Sequence, residues 1–198
     1  APLEFSNSVG MPLREALSFV SDVLIGFDLK KDIKVIASGK TFSGFHLVKN
    51  LALGADMCNS ARGMMVALGC VQSLECNTNK CPTGITTQDP KLTRGLVVPD
   101  KAERVARYHN ATVNSALEII ASAGLRNTSD LNRTHIFRRV SQTEVRRFDE
   151  IYQSPVLGSF FNEEAPPKFA QALRESCAES FFPKQYVAET TEGLKEVS

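Results

Sequence analysis

The chain has 198 residues, of which 42% are hydrophobic and 23% are charged, a composition typical of a folded globular domain. Its formal net charge of +1 produces no field that would attract nucleic acid. The sequence contains no run of 18 or more apolar residues, which is the length needed to span a membrane. The sequence begins at Ala1 without a basic, apolar leader, so we expect a cytoplasmic protein and interpret the chain as part of a longer one.

The first predicted element is a helix. Pro12 suits its first turn, and Gly26 is typical of its end. Apolar residues recur between them at helical spacing: Leu13, Leu17, Val20 and Leu24.

Two short strands follow, separated by a helix. The β-branched run 33–37 predicts the first strand, and residues 43–53 predict a helix. Residues 57–58 predict the second strand, and a further helix begins near Ala61. This alternation indicates a parallel sheet covered by helices, and strands of about five residues suit an α/β barrel.

The second half of the chain is predicted to be mainly helical. Asp100 and Glu103 predict a capping box at the start of a long amphipathic helix that ends near Gly124. The polar, arginine-rich residues 127–153 predict two short helices, and no further strand is expected.

A cluster of cysteines is the strongest chemical signal. Cys70, Cys76 and Cys81 have the spacing C-x5-C-x4-C, and Pro82 follows the last of them. Three thiolates without a fourth nearby suit a three-iron cluster, whereas a zinc site would need a histidine. The three histidines are all distant in sequence: His46, His109 and His135. Spacing alone leaves an iron–sulfur cluster, zinc and three unrelated cysteines open.

The turns after the two predicted strands carry the second signal. In α/β barrels, phosphate groups bind at the loops after the last two strands, against backbone N–H groups and a helix N-terminus. Gly39 permits a close approach of the backbone, and Lys40 and Arg62 supply positive charge. Ordinary turn chemistry is the alternative interpretation. The candidate residues are Ser38, Gly39, Lys40, Ser60, Ala61 and Arg62.

Four segments together resemble a known family. They are LGAD at 53–56, ALGC at 67–70, CNTNKCPTG at 76–84 and TQDP at 87–90. In residue type, spacing and order they are similar to the FMN-binding domain of glutamate synthases. The resemblance covers residues 1 to about 96 closely and continues to about 125 in general character. Fewer glycines at both phosphate turns make the chain more similar to the short, stand-alone type than to the large synthases.

The resemblance implies cofactors and site residues. Cys70, Cys76 and Cys81 would hold a [3Fe–4S] cluster, and the six turn residues would bind the phosphate of FMN. The groups that hold the flavin ring and the substrate would lie before Ala1, so no catalytic residue is assigned.

The resemblance also implies a reaction. The protein would be an oxidoreductase acting on CH–NH2 donors, which forms glutamate from 2-oxoglutarate and glutamine-derived ammonia. Electrons would come from ferredoxin or from a subunit that oxidises a pyridine nucleotide.

We therefore predict an α/β fold that is the C-terminal part of a (β/α)8 TIM barrel, with about the last two strands and their helices, plus a helical extension. Residues 1–98 would be the FMN-binding barrel part with the cysteine loop, 99–153 the helical extension and 154–198 a surface-wrapping tail. The open strand edges predict pairing with the remainder of the barrel or with another copy of the chain.

Two alternatives remain open. The first is another FMN-dependent barrel oxidoreductase of different substrate, because fold does not determine substrate. The second is a zinc-stabilised structural module built on the three cysteines. A local cluster of arginines could dock an acidic electron donor, but we favour a solvated face; no motif indicates nucleic acid. The arginines are Arg133, Arg138, Arg139, Arg146 and Arg147.

Overall fold

The computed structural model describes residues 9–162 and 165–182. The chain divides into two units. The first comprises Ala1–Ser21 and Lys34–Gln153, and the second comprises Asp22–Ile33 and Ser154–Ser198.

The sheet of the first unit consists of two parallel strands, β1 (Ile36–Ser38) and β2 (Met57–Asn59), with Ile36 opposite Met57. β1 begins three residues later than the run 33–37 predicts. The reason is that the Val35 N–H donates to the Asp56 carboxylate at 2.8 Å, so a side chain takes the place of a strand partner. Within the described residues the arrangement of helices and strands is α/β-like. The sheet is open and does not close into a barrel.

Three predicted helices are confirmed. They are α1 (Leu13–Gly26), α2 (Gly44–Ala52) and α3 (Arg62–Leu68). α2 begins where it does because the Ser43 hydroxyl accepts a hydrogen bond from the His46 N–H at 3.3 Å. α3 ends at Gly69, whose φ of +105° lies in the left-handed region that glycine adopts without strain.

The long helix α5 (Val98–Ser122) follows a single short turn of helix, α4 (Pro90–Thr93). The predicted capping box at Asp100 and Glu103 is wrong, because the helix begins earlier with Val97 as its N-cap. A proline in the first turn starts the helix without needing a side-chain cap. The predicted end near Gly124 is confirmed, since Ala123 is the C-cap and Gly124 has a φ of +77°.

The region 127–153 differs from the prediction of two short helices. It contains an antiparallel hairpin, β3 (Phe137–Arg139) paired with β4 (Val145–Arg147), which brings the described strands to four. The turn of the hairpin is held by the Ser141 hydroxyl, which accepts hydrogen bonds from two backbone N–H groups. Short helical turns flank the hairpin: two 3₁₀ turns at Thr128–Asp130 and Arg133–His135, and α6 (Phe148–Ile151).

The core of the first unit lies where α2 and α5 pack together. Val48 and Leu53 are 1% and 0% exposed, and burying each side chain contributes about 1.5–3 kcal/mol. α5 also packs against α3, so the residues of this long helix reach the turns that follow both strands. Further buried members are Leu17, Ala37, Ala52, Ala116, Ile120, Ile136 and Phe148.

The second unit contains a 3₁₀ helix at Ser159–Asn162 and the helix α7 (Pro167–Glu175). Phe160 is buried between two aromatic rings, 5.4 Å from the Phe27 centroid and 5.1 Å from that of Phe169. These elements form part of the segment predicted as a tail; its residues 163–164 and 183–198 lie outside the described residues. No helix in the described part of the chain is both long enough and apolar enough to cross a bilayer.

Candidate functional site

The turn after β1 has an unusual backbone. Gly39 has a φ of +156° and Lys40 a φ of +51°, so two consecutive residues lie at positive φ. A Cβ on Gly39 would come within 3.1 Å of Leu13 Cδ2. A side chain at this position would therefore be strained, and the sequence has an exposed glycine there.

The two strand-end turns meet at one cavity of about 540 Å³, which we call the phosphate cleft. The structure brings five of the six predicted phosphate residues to this cleft: Ser38, Gly39, Lys40, Ala61 and Arg62. The remaining wall is made by Val9, Gly10, Met11, Pro12, Leu13 and Ala16. The residues of two separate turns thus form one continuous surface.

Ser60, the sixth predicted residue, does not line the cleft but links the two turns. Its hydroxyl donates to the Thr41 carbonyl at 2.6 Å. The Thr41 hydroxyl in turn accepts from Asn50 Nδ2 at 3.1 Å, and both of these side chains are at most 3% exposed. Because Ser60 and Asn50 both bond to Thr41, this network holds the two turns in register.

A second hydrogen bond that stabilises these turns comes from helix α5. The Tyr108 hydroxyl donates to the Phe42 carbonyl at 2.9 Å, across 66 positions of sequence. Gly63 is buried beneath it, and a Cβ at Gly63 would collide with Tyr108 Oη and come within 2.7 Å of Ser60 Oγ. Sequence reasoning missed Thr41, Asn50 and Tyr108, because no local pattern marks a partner so distant in the chain.

The electrostatics of the phosphate cleft favour an anion. Neither Lys40 nor Arg62 forms an ion pair or a side-chain hydrogen bond within the described residues. Among the described residues that line the cleft there is no aspartate or glutamate. Two uncompensated cations beside an open backbone match the geometry and charge of a phosphate group.

The predicted metal ligands lie in different environments. Cys70 is half-buried and directly follows the left-handed Gly69, Cys76 is exposed, and Cys81 is 7% exposed. In the ranges that the structure describes, no three His, Cys, Asp or Glu side chains lie close enough to hold a metal ion. As arranged here, the three thiols therefore do not form a cluster or zinc site.

Cys81 nevertheless has the chemistry of a ligand. Its Sγ lies 3.4 Å from Thr83 Oγ1. This hydrogen bond, followed by one from the backbone of Thr86, lowers the pKa of the Cys81 thiol to about 6. The thiolate, which is the metal-binding form of cysteine, is therefore favoured at neutral pH.

Four of the five arginines in this cluster have partners within the described residues, and Arg139 donates to the Gln142 carbonyl at 3.3 Å. Arg147 pairs with Asp149 at 2.8 Å, Arg146 pairs with Glu144, and the buried Arg133 donates to the Tyr152 carbonyl at 2.7 Å. The ion pairs of Arg146 and Arg147 agree with the interpretation of a solvated face, whereas Arg133 is buried and belongs to neither a solvated face nor a docking patch.

A family profile and several known proteins are similar to this chain, and their descriptions all contain glutamate synthase. A sequence profile described as a conserved region in glutamate synthase matches residues 1–126. The chain is 35% identical over 148 residues to the glutamate synthase large subunit-like protein YerD of Bacillus subtilis (strain 168), covering 75% of this chain and 28% of that protein. It is 35% identical over 131 residues to the archaeal glutamate synthase (NADPH) of Methanocaldococcus jannaschii, covering 66% and 26%.

A third relative is the glutamate synthase (NADPH) large chain of Azospirillum brasilense. It is 28% identical over 134 residues, which cover 67% of this chain and 9% of that protein. The chain thus spans 28% or less of the length of each of these three relatives.

Proposed function

The chain belongs to the glutamate synthase family, and from this premise we propose that it binds the phosphate of FMN at the turns after β1 and β2 for the reductive synthesis of glutamate. The observation that carries the proposal is the phosphate cleft, where both turns and two uncompensated cations meet. The residues fit a phosphate because Gly39 is exposed at the turn and no carboxylate is among the described residues that line the cleft.

The proposed reaction is the formation of glutamate from 2-oxoglutarate and glutamine-derived ammonia. FMN, when bound and reduced, would supply the hydride for this chemistry. Lys40 and Arg62 neutralise the phosphate, while Ser38 and the backbone of Gly39 fix its position. The network around Thr41 keeps the two turns in place as the cofactor binds.

β1 and β2 are proposed to be the last two strands of a (β/α)8 barrel. Ile36 and Met57 lie opposite each other in the sheet, and each is 52% exposed. The remainder of the barrel, or another copy of the chain, would cover them. Ferredoxin or a subunit that oxidises a pyridine nucleotide is proposed as the electron donor, and the cytoplasm as the location.

Cys70, Cys76 and Cys81 are proposed as ligands of a [3Fe–4S] cluster. Residues 71–80 are all exposed, so few packing contacts oppose a different path of this loop. The three thiols can converge on one cluster only if the loop takes a different path. The residues of the phosphate cleft already lie together and need no such change.

The proposal is tested by comparing the affinities of the protein for FMN and for riboflavin, which lacks the phosphate. We expect Arg62→Ala to weaken FMN binding about 10- to 100-fold, because a charge-assisted contact to phosphate is lost, and to leave riboflavin binding unchanged. Arg126→Ala, which removes an exposed arginine that does not line the cleft, is the matched control. Equal affinities for FMN and riboflavin in the unmodified protein would refute a phosphate site.

The substrate is tested separately. Reoxidation of the reduced flavin by 2-oxoglutarate and ammonia under anaerobic conditions is the expected result. Flavin binding without this reoxidation would favour the alternative of an FMN-dependent barrel oxidoreductase acting on another substrate.

A further inference from the structure

The turn between β3 and β4 contains a serine on which two backbone donors converge. Ser141 is exposed, and its Oγ accepts hydrogen bonds from the Thr143 N–H at 3.3 Å and from the Glu144 N–H at 3.1 Å. Serine side chains commonly hold turns in this way. An anionic group attached to Ser141 would accept stronger hydrogen bonds from the same donors, because charge-assisted bonds are stronger than neutral ones.

The hairpin around this turn carries an excess of positive charge. Arg138 lies directly opposite Arg146 in the strand register, and like charges that face each other across a strand pair are destabilising. Arg139 Nη1 donates to the Gln142 carbonyl at 3.3 Å, so this guanidinium lies at the turn. Arg146 pairs with Glu144, whereas Arg138 forms no ion pair within the described residues. A phosphate on the turn would offset this charge.

The residues that precede Ser141 distinguish it from the other hydroxyl side chains. Arg138 and Arg139 stand three and two positions before it, and no other serine or threonine of the chain has two basic residues among the three that precede it. A protein kinase with an acidic substrate cleft selects its substrates by such a charge pattern. The segment is also accessible, since residues 139–146 are all exposed.

The hairpin can present this segment to a kinase with little loss of packing. A kinase cleft binds its substrate segment as an extended chain, so β3 and β4 have to separate locally. Each strand has three residues, and Phe137 and Val145 are 62% and 55% exposed even when the strands are paired. Because the pairing buries little apolar surface, opening the hairpin requires only a small part of the free energy of global unfolding.

We propose that Ser141 is a phosphorylation site for a serine/threonine kinase that recognises Arg138 and Arg139. In the reaction, Ser141 Oγ forms a bond to the γ-phosphorus of ATP while the bond from that phosphorus to the bridging oxygen of the leaving ADP breaks. The hydroxyl proton passes to a carboxylate of the kinase. The phosphate, with a charge of about −1.5 to −2 at pH 7, then accepts hydrogen bonds from Arg139 and from the N–H groups of the turn. It stabilises the hairpin because it reduces the repulsion between Arg138 and Arg146.

The direct test is incubation of the full chain with MgATP and the catalytic subunit of cyclic-AMP-dependent protein kinase, whose substrate cleft is acidic. We expect one phosphate per chain by intact mass spectrometry, located at Ser141 by peptide mapping, and none in Ser141→Ala. Arg138→Ala and Arg139→Ala should each lower kcat/KM for phosphorylation at least about tenfold, because a charge-assisted contact with the kinase is lost. Arg126→Ala, which removes an exposed arginine outside the hairpin, is the matched control.

The outcomes separate this proposal from misfolding and from the flavin site. Ser141, Arg139 and Arg126 are all exposed, so alanine at these positions should not disturb folding. Absence of phosphate from the unmodified chain, equal incorporation into Ser141→Ala, or equal kcat/KM for Arg139→Ala and Arg126→Ala would overturn the proposal. The affinity for FMN is not expected to change on phosphorylation, and its measurement bears on the flavin site alone.

The effect on the hairpin is measured by hydrogen exchange of the phosphorylated and unmodified chains. The Thr143 and Glu144 amides should exchange at least about tenfold more slowly after phosphorylation, because their acceptor becomes anionic. In phosphorylated Arg139→Ala this slowing should be smaller. Equal exchange rates of these two amides in the phosphorylated and unmodified chains would overturn the proposed contacts of the phosphate.

Discussion

The turns after β1 and β2 and the cysteine loop at residues 70–81 are the two regions in which the sequence carries recognisable chemistry, and they differ in how far packing has organised them. At the turns, Thr41 and Asn50 are buried and hydrogen-bonded to each other, and Ser60 links one turn to the other. In the cysteine loop, every residue from 71 to 80 is exposed.

The hydrogen bonds of the cysteine loop are mostly local. The Thr78 hydroxyl donates to the Glu75 carbonyl at 2.9 Å, and the Lys80 N–H donates to Thr78 Oγ1 at 3.2 Å. Near its end the loop is tied further along the chain, where the Thr87 hydroxyl donates to the Asn79 carbonyl at 2.6 Å and the Gln88 N–H donates to Asn79 Oδ1 at 2.7 Å. Residues of a motif are thus held in place as a site where buried long-range contacts support them. The spacing of the motif in the sequence does not provide such contacts.

The largest expected effect comes from filling the space beneath Tyr108. Gly63→Ala should lower the free energy of unfolding by about 2 kcal/mol, because the added methyl group collides with Tyr108 Oη. Urea denaturation measures the loss. In a Tyr108→Phe background the same substitution should lower the free energy of unfolding clearly less. Equal losses in both backgrounds would contradict a close contact between position 63 and the Tyr108 hydroxyl.

A smaller effect is expected from the link between the turns. Ser60→Ala should lower the free energy of unfolding by about 1 kcal/mol and weaken FMN binding, because the hydrogen bond to the Thr41 carbonyl is lost. Ser122→Ala is the matched control, since Ser122 is exposed and its hydroxyl donates to the Ile119 carbonyl of the same helix, α5. If both variants lose the same stability and keep the same FMN affinity, the turns are not coupled through Ser60.

The smallest effect on stability is expected in the cysteine loop. Cys76→Ser should change the free energy of unfolding of the metal-free protein by less than about 0.5 kcal/mol, because Cys76 is exposed. The same variant should lose bound iron, which elemental analysis of anaerobically purified protein measures. Unchanged iron content would remove Cys76 from the proposed ligand set.

The sequence predicts the local elements well and the long-range contacts poorly. Helical spacing from Leu13 to Leu24 and the turn residues 38–40 are visible in a few consecutive residues, so α1 and the first turn could be predicted. The hairpin of β3 and β4 was missed, because its arginine-rich strands of three residues lack a clear alternating pattern.

In the candidate site, too, some residues could be predicted from local sequence patterns and others are brought together only by the tertiary fold. The cations Lys40 and Arg62 follow predicted strands, so their meeting in one cleft could be anticipated from the parallel sheet. Tyr108 reaches the same region only because α5 packs against α2 and α3. That packing depends on the tertiary fold, for which no local sequence signal exists.

The most direct test of the account is the FMN affinity of anaerobically purified protein before and after removal of iron by a chelator. Iron, acid-labile sulfide, zinc and flavin are determined on the same samples, so a zinc-stabilised module would be recognised by its metal content. Because the hydrogen bonds that link the turns after β1 and β2 involve no residue of the cysteine loop, we predict that the FMN affinity changes less than about twofold when iron is lost. Release of FMN together with the iron would contradict a phosphate site that is formed independently of the cysteine loop.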